Sequence, residues 1–218
     1  MPAELLTKST LLHEALIEVF ASAAPSRGQR FSLAMEACGK AFEHAAGIRR
    51  LIGTSLNIPA SELLRVQFEA LVQAMWLFYA ATDVEIENLL APLNNDTKKA
   101  ANKLPVATEM LEALEKHGPP VAVRPLLQLK AISARPMNSF IRSGVYSPQR
   151  HRDGFPAVLL YQLVMSSNGL NTMCAMLAAT LSANMSSVRT VSILQRIFAE
   201  ILPPLEHLET MASTNGMA

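Results

Sequence analysis

The sequence has few of the residues that mark several large protein classes. Of its 218 residues, two are cysteine and nine are glycine, so a glycine-rich repeat is excluded. The two cysteines, Cys38 and Cys174, lie far apart within apolar helical patterns. A disulfide scaffold or a cysteine-based zinc site would need closer or more numerous ligands, so we predict two reduced, buried thiols. Apolar alternation of strand length is also absent, which argues against a sheet.

Charge is sparse and balanced. Charged residues make up 17% of the chain and the net charge is +1. This excludes a protein that holds nucleic acid by overall charge alone, although a local basic patch remains open. The N-terminal residues contain no basic run followed by an apolar stretch, so we expect no secretory signal and a cytoplasmic location.

The longest uncharged segment runs from Phe155 to Val188. Polar residues interrupt it from Gln162 onward and again between Ser166 and Thr172. No clean run of about 20 apolar residues therefore exists, as a membrane span would require. We predict the buried central helix of a bundle, and no membrane partner.

Apolar residues elsewhere recur every three or four positions, which is helical spacing. Pro136 is expected to kink or restart its helix, because proline donates no backbone hydrogen bond and clashes with the preceding turn. Asp83 is expected to cap a short helix. The pattern indicates an all-α protein, a bundle of seven or eight helices, predicted at about 9–23, 28–54, 60–81, 83–90, within 94–120, from 121, from 156, and at 187–202.

The same pattern indicates one helical domain over residues 1–211 and a flexible tail at 212–218. Residues 94–120 are the most charged part of the chain. We predict an exposed charged helical hairpin there, with two short helices divided at Leu104–Pro105.

One helix carries a narrow polar stripe formed by Arg65, Glu69, Gln73 and Trp76. Arg65 and Glu69 are four residues apart and can pair, in the weaker of the two orientations. The stripe is either the solvent-facing side of the helix or a partly buried charge pair at an interhelical site. The sequence alone leaves both interpretations open.

A basic stretch near residues 135–154 contains Arg135, Arg142, Arg150, His151 and Arg152. Arginine and histidine near a helix end can bind phosphate or stabilise developing charge. The alternative is a basic loop that makes caps and surface ion pairs. The other histidines lack a partner at metal-ligand spacing, and no glycine-rich phosphate loop or nucleophile elbow occurs. We therefore predict no metal and no cofactor.

Two stretches carry a resemblance to a known family. Ile58–Ser61, followed by Leu64-Arg65, Phe68–Ala70 and Trp76-Leu77, forms the first landmark, and Asn138–Gly144 forms the second. This pattern resembles bacterial helical proteins related to the HEPN-like bundles of toxin–antitoxin and phage-defence systems. The resemblance covers roughly Pro59 to Leu181. It implies an HEPN-like bundle, a homodimer, an RNA or protein partner, and a binding or regulatory role.

Active HEPN proteins carry an arginine, four to six residues, then a histidine, and cleave RNA without metal. Arg135 has this spacing, but the histidine position holds Arg142, which stays protonated and cannot act as a general base. Whether the protein is an enzyme therefore stays open. The alternatives are a diverged ribonuclease and a purely structural partner-binding bundle. The residues carried over are Arg135, Arg142 and His151 for catalysis, and Arg65, Glu69, Asn138, Arg150 and Arg152 for binding.

The resemblance and the cost of burying a lone carboxylate together predict one further contact. We expect Arg65, Glu69, Asn138 and Arg142 to come together, with the Arg142 guanidinium binding the Glu69 carboxylate across helices.

Overall fold

The computed structural model describes residues 2–23, 28–91, 105–141 and 155–204, with the backbone alone for 133–141. Within these residues the protein is all-α, with eight helices, no strand and 87% helical content. The predicted fold class is confirmed. The helices are α1 (Pro2–Ser22), α2 (Gln29–Gly53), α3 (Asn57–Tyr79), α4 (Asp83–Leu90), α5 (Ala107–His117), α6 (Pro120–Ile141), α7 (Ala157–Leu181) and α8 (Met185–Ile197), followed by a 3₁₀ turn at Ala199–Ile201.

Helix α7 lies at the centre of the bundle and contacts α1, α2, α3, α6 and α8. The polar residues of α7 between positions 166 and 172 are buried, and most of them are hydrogen-bonded. Ser167 Oγ donates to Gln67 Oε1 of α3 at 2.8 Å, and Gln67 Nε2 donates to the Ser167 carbonyl at 3.0 Å. Asn168 Nδ2 donates to Ser9 Oγ of α1 at 2.9 Å. Because buried polar groups need partners, these bonds set how α7 faces its neighbours.

A glycine allows close packing in the middle of α7. A Cβ atom added to Gly169 would lie 2.7 Å from Cγ of Pro203 and 3.1 Å from Cδ2 of Leu129. Both distances are shorter than ordinary van der Waals contact, so any larger residue would displace the chain beyond the 3₁₀ turn or α6.

We expect Gly169→Ala to lower the free energy of unfolding by about 1–3 kcal/mol, because overpacking a dense core strains its neighbours. Gly39→Ala in α2 is the matched control, since its added Cβ would meet only Phe20 Cζ at 3.9 Å. The control is expected to be neutral or to gain about 0.5–1 kcal/mol of helix propensity. Urea denaturation of both variants measures the difference, and equal effects would contradict the close packing.

Helices α2 and α3 form an antiparallel hairpin. Ser55 takes a left-handed conformation with φ of 62°, and the Leu56 amide donates to the Leu51 carbonyl at 2.8 Å, which closes the end of α2. Helix α3 begins three residues before the predicted start at 60, and Pro59 lies in its first turn, where it loses no hydrogen bond. Arg30 Nη1 of α2 donates to the Ala81 carbonyl at 2.6 Å just beyond the other end of α3.

The core forms between this hairpin and α7. Trp76, Phe68, Leu71 and Met75 are buried in one cluster with the apolar residues of α7. Cys38 and Cys174 are free and fully buried, as predicted. The two thiols meet between α2 and α7, where the hydrogen bond with Cys38 and burial raise the pKa of Cys174.

Several predicted helix ends are wrong. Helix α1 begins at Pro2 rather than near Ser9. Thr82, not Asp83, caps α4, because Thr82 Oγ1 accepts from the Glu85 amide and Glu85 Oε2 accepts from the Thr82 amide at 2.7 Å. The last helix runs over Met185–Ile197 rather than 187–202, and a 3₁₀ turn follows it.

Of the kink or restart predicted at Pro136, the restart does not occur, since α6 is continuous from Pro120 to Ile141. Proline removes only the hydrogen bond that its own nitrogen would donate to the Ile132 carbonyl. The other backbone hydrogen bonds keep the helix continuous.

The predicted charged, exposed segment corresponds to α5 on its outer face only. The inner face of this helix buries Met110, Leu111 and Leu114, and α5 packs on α3 and α6. Helix α5 is thus an amphipathic part of the bundle. Residues 92–104, with Leu104, and the tail at 212–218 lie outside the described residues.

Candidate functional site

A polar pocket of about 260 Å³ opens between α2, α3 and α5. The pocket combines charged and polar side chains. Apolar side chains also line it, among them Val66 of α3 and Met110 of α5. The polar side chains around the pocket are Lys40, His44, Glu69 and Gln73.

Helical spacing explains why these side chains meet. Lys40 and His44 are one turn apart on α2, and Glu69 and Gln73 are one turn apart on α3, so each pair points from one face of its helix. The antiparallel hairpin sets the two faces against each other. The adjoining face of α2 carries small buried residues, namely Ala34, Ala37, Ala41 and Ala45.

The pair that the sequence predicts is present at the edge of this pocket. Arg65 Nη1 donates to Glu69 Oε1 at 2.8 Å, and the two side chains are 47% and 40% exposed. An ion pair this exposed adds about 0–1 kcal/mol to stability, so it orients the carboxylate rather than holding the fold. The pair occupies Oε1, and no described residue donates to Glu69 Oε2, so this oxygen can accept from a ligand.

The Glu69 side chain is not buried. The cost of burying a lone carboxylate therefore does not require a contact with Arg142. A half-exposed carboxylate keeps part of its hydration and has a cation one turn away, so it needs no second guanidinium across helices. Arg142 lies outside the described residues, and the cross-helix contact stays a prediction.

The other predicted site residues lie between positions 135 and 152, where the structure describes only the backbone, and only as far as residue 141. The backbone of Arg135 and Asn138 belongs to the last turns of α6. Arg150, His151 and Arg152 lie outside the described residues, as Arg142 does. Of the stripe on α3, Arg65, Glu69 and Gln73 reach the pocket or its edge, whereas Trp76 turns into the core.

Sequence reasoning missed Lys40 and His44. No second metal ligand lies at helical spacing from His44, so the sequence pattern does not indicate a metal site there. The available signal was that Lys40 precedes His44 by one turn, beside a face of the helix that is rich in alanine. That signal indicates a polar face beside a close helix contact, and it names no partner helix.

A second polar cluster lies between α1 and α7. Nδ2 of Asn171 and Nδ1 of the buried His13 are 2.8 Å apart. Burial, and secondarily the positive charge of Arg49, lower the pKa of His13 to about 4. The imidazole is therefore neutral near pH 7, and Nδ1 accepts from Asn171. Burial likewise lowers the pKa of Arg49 to about 10, against the opposing charge of Glu14.

A larger cavity of about 420 Å³ lies between α1, α2 and the start of α7. Its walls are apolar, with Leu5, Ile52 and Val158 among them, and no charged side chain lines it. It offers burial to a ligand but no charged group for ionic recognition.

Two kinds of feature are absent from the described ranges. No group of three histidine, cysteine, aspartate or glutamate side chains among the described residues is placed to hold a metal ion. No described helix is both long enough and apolar enough to cross a membrane.

Comparison with known proteins gives one match. No curated protein and no solved structure matches the chain significantly. The model of one family, described as a family of unknown function, matches residues 38–204. The matched range includes every described residue that lines the polar pocket. Because the match covers more than half of the sequence, the chain belongs to this family, DUF6988.

Proposed function

We propose that this protein is an HEPN-like binding or regulatory component of a bacterial defence or toxin–antitoxin type system, that it acts as a homodimer, and that its polar pocket binds single-stranded RNA. The resemblance at Pro59–Leu181 supports the class of system. The observation that carries the binding function is the pocket itself, where Lys40 and His44 face Glu69 and Gln73.

The side chains of the pocket can contact both the phosphates and the bases of an RNA strand. The Lys40 ammonium and the Arg65 guanidinium at the edge can bind phosphate oxygens. The free oxygen of Glu69 can accept from an amino group of a base, and Gln73 can both donate and accept. A volume of about 260 Å³ accommodates one base. RNA-binding proteins read single strands in this way, because unstacked bases expose their edges.

A second candidate is a diverged metal-independent ribonuclease. The specific observation in its favour is that a histidine, His44, lines the same pocket as a carboxylate. Such a pair can transfer protons during phosphodiester cleavage without a metal. Arg135, Arg142 and His151 remain the residues that the family resemblance assigns to this activity.

Binding can be measured by fluorescence anisotropy with a labelled single-stranded RNA of mixed sequence, in buffer that contains chelator. We expect Lys40→Gln to weaken binding about tenfold, because one strong phosphate contact is lost. Lys130→Gln on α6 removes the same charge from an exposed position and is the matched control. The same measurement with homopolymers of each base is expected to show that Glu69→Gln changes the preference among bases more than the overall affinity.

Other outcomes would contradict the proposal. If neither Lys40→Gln nor Glu69→Gln changes the affinity relative to Lys130→Gln, the pocket does not bind RNA, and a protein partner becomes the better hypothesis. Shortening of the RNA in the presence of chelator, lost in His44→Gln, would favour the ribonuclease. Light scattering after gel filtration tests the homodimer, and a monomer at all concentrations would contradict it.

A further inference from the structure

Within the described part of the chain, helix α8 presents an unpartnered ridge to solvent. Met185, Arg189, Ile193 and Ile197 follow one another at intervals of four, and all four are exposed. The exposed fractions of the three apolar residues are 65%, 50% and 64%. The opposite face of α8 buries Ser187 and Val191. Large apolar side chains exposed in single file along one helix are typical of an interaction surface.

All the charged side chains of α8 are positive. Arg189 and Arg196 are exposed, and α8 contains no aspartate or glutamate. Among the described residues, no carboxylate lies within 4 Å of either guanidinium, and Arg196 bonds only back to the Ser192 carbonyl at 3.4 Å. Two arginines beside three exposed apolar residues form a surface that attracts an acidic, amphipathic partner.

From this ridge and its charge we propose that α8 docks an acidic amphipathic helix of a partner protein. Side chains at intervals of four form the ridges that pack into grooves of another helix, and this ridge is about 18 Å long, or roughly three turns. Apolar residues of the partner helix would cover Ile193 and Ile197, while its carboxylates would pair with Arg189 and Arg196 in bidentate geometry.

Two other occupants fit the ridge less well. A helix that lies on a membrane surface buries a broad apolar face, whereas this ridge is one residue wide and flanked by Ser186 and Thr190. A second copy of the chain, related by a twofold axis, would bring the same arginines together without a carboxylate between them. The interaction is independent of the polar pocket, because none of its residues lines that pocket.

The probe for the experiment is a synthetic helical peptide of about 18 residues, long enough to be helical in water, with leucines along one face and glutamates on the flanks. A second peptide has lysine in place of every glutamate. Both are labelled and titrated with the full-length protein at low and high salt. We expect the glutamate peptide to bind and the lysine peptide not to bind, with the affinity falling as salt rises.

Variants locate the interaction on α8. Ile197→Asp is expected to weaken binding of the glutamate peptide about tenfold or more, since a buried apolar contact is replaced by a like charge. Val84→Asp on α4 is the control, because Val84 and Ile197 are both 64% exposed. The double variant Arg189→Glu and Arg196→Glu is expected to exchange the preference, binding the lysine peptide instead. Circular dichroism verifies that each variant keeps its helical content.

Four results would overturn the proposal. The first is equal binding of the two peptides, and the second is an equal effect of Val84→Asp and Ile197→Asp. The third is binding to vesicles of phosphatidylserine and phosphatidylcholine without binding to the glutamate peptide, which would identify a lipid surface. The fourth is a dimer in light scattering that Ile197→Asp converts to monomer, which would identify a second copy of the chain.

Discussion

Replacing Phe68 by alanine is expected to lower the free energy of unfolding by about 3–5 kcal/mol, because the substitution removes a large buried side chain and leaves a cavity that the core fills only in part. Phe68 lies on α3 within the cluster that joins α3 to α7. Urea denaturation can be followed by the fluorescence of Trp76, which is the only tryptophan of the sequence and is buried in the same core.

Val84→Ala is the control for this experiment, because Val84 is an exposed apolar residue on α4. Its effect on the free energy of unfolding is expected to stay within about 0.5 kcal/mol. A loss below about 1 kcal/mol in Phe68→Ala would show that the apolar face of α3 does not face the core. An unchanged dependence of the free energy on urea concentration would show that the comparison is between like states.

The parts of the fold that the sequence predicts best are long helices with a persistent pattern. Helix α3 repeats apolar residues every three or four positions over more than five turns, and α7 has no charge at all. In both cases the pattern is redundant, so a single wrong residue does not change the interpretation. The all-α class and the central position of α7 follow from that redundancy.

The predictions of helix ends fail for a different reason. Ser9 resembles an N-terminal cap, because serine favours that position. In the structure its hydroxyl lies inside α1 and accepts from Asn168, which is 159 residues away in the chain. A local preference was overridden by a tertiary hydrogen bond that no local pattern contains. At α4 the competing residue was a neighbour, since Thr82 and Asp83 are both suitable caps and only the backbone geometry decides between them.

Half of the candidate site could be predicted from the sequence. Arg65 and Glu69 share one helix, so their pairing follows from spacing alone. Lys40 and His44 join them only because α2 folds back on α3 with one particular register, which depends on the packing of small side chains between the helices. Spacing within a helix is readable from a sequence, whereas the register between two helices is not.

The buried His13 is expected to make the protein sensitive to acid. Its pKa falls from 6.5 in an unfolded chain to about 4 in the folded protein, mainly through burial. Between these values the unfolded chain binds the proton more readily, so stability is complete above about pH 6.5 and is lost as the pH falls toward 4. A difference of about 2.5 pKa units corresponds to about 3 kcal/mol. Urea denaturation at a series of pH values from 7 to 4 measures the loss.

Two variants separate this effect from the titration of carboxylates over the same range. His13→Phe keeps a ring against Phe42, whose centroid lies 5.8 Å from that of His13, and it removes the titrating group. Whatever its stability at pH 7, this variant is expected to lose about 3 kcal/mol less than the wild type on acidification. Arg49→Gln removes the nearby positive charge and is expected to reduce the loss by a smaller amount, because the charge is the secondary cause. Parallel stability curves for the wild type and His13→Phe between pH 7 and 4 would mean that His13 takes up its proton as easily in the folded protein as in the unfolded chain.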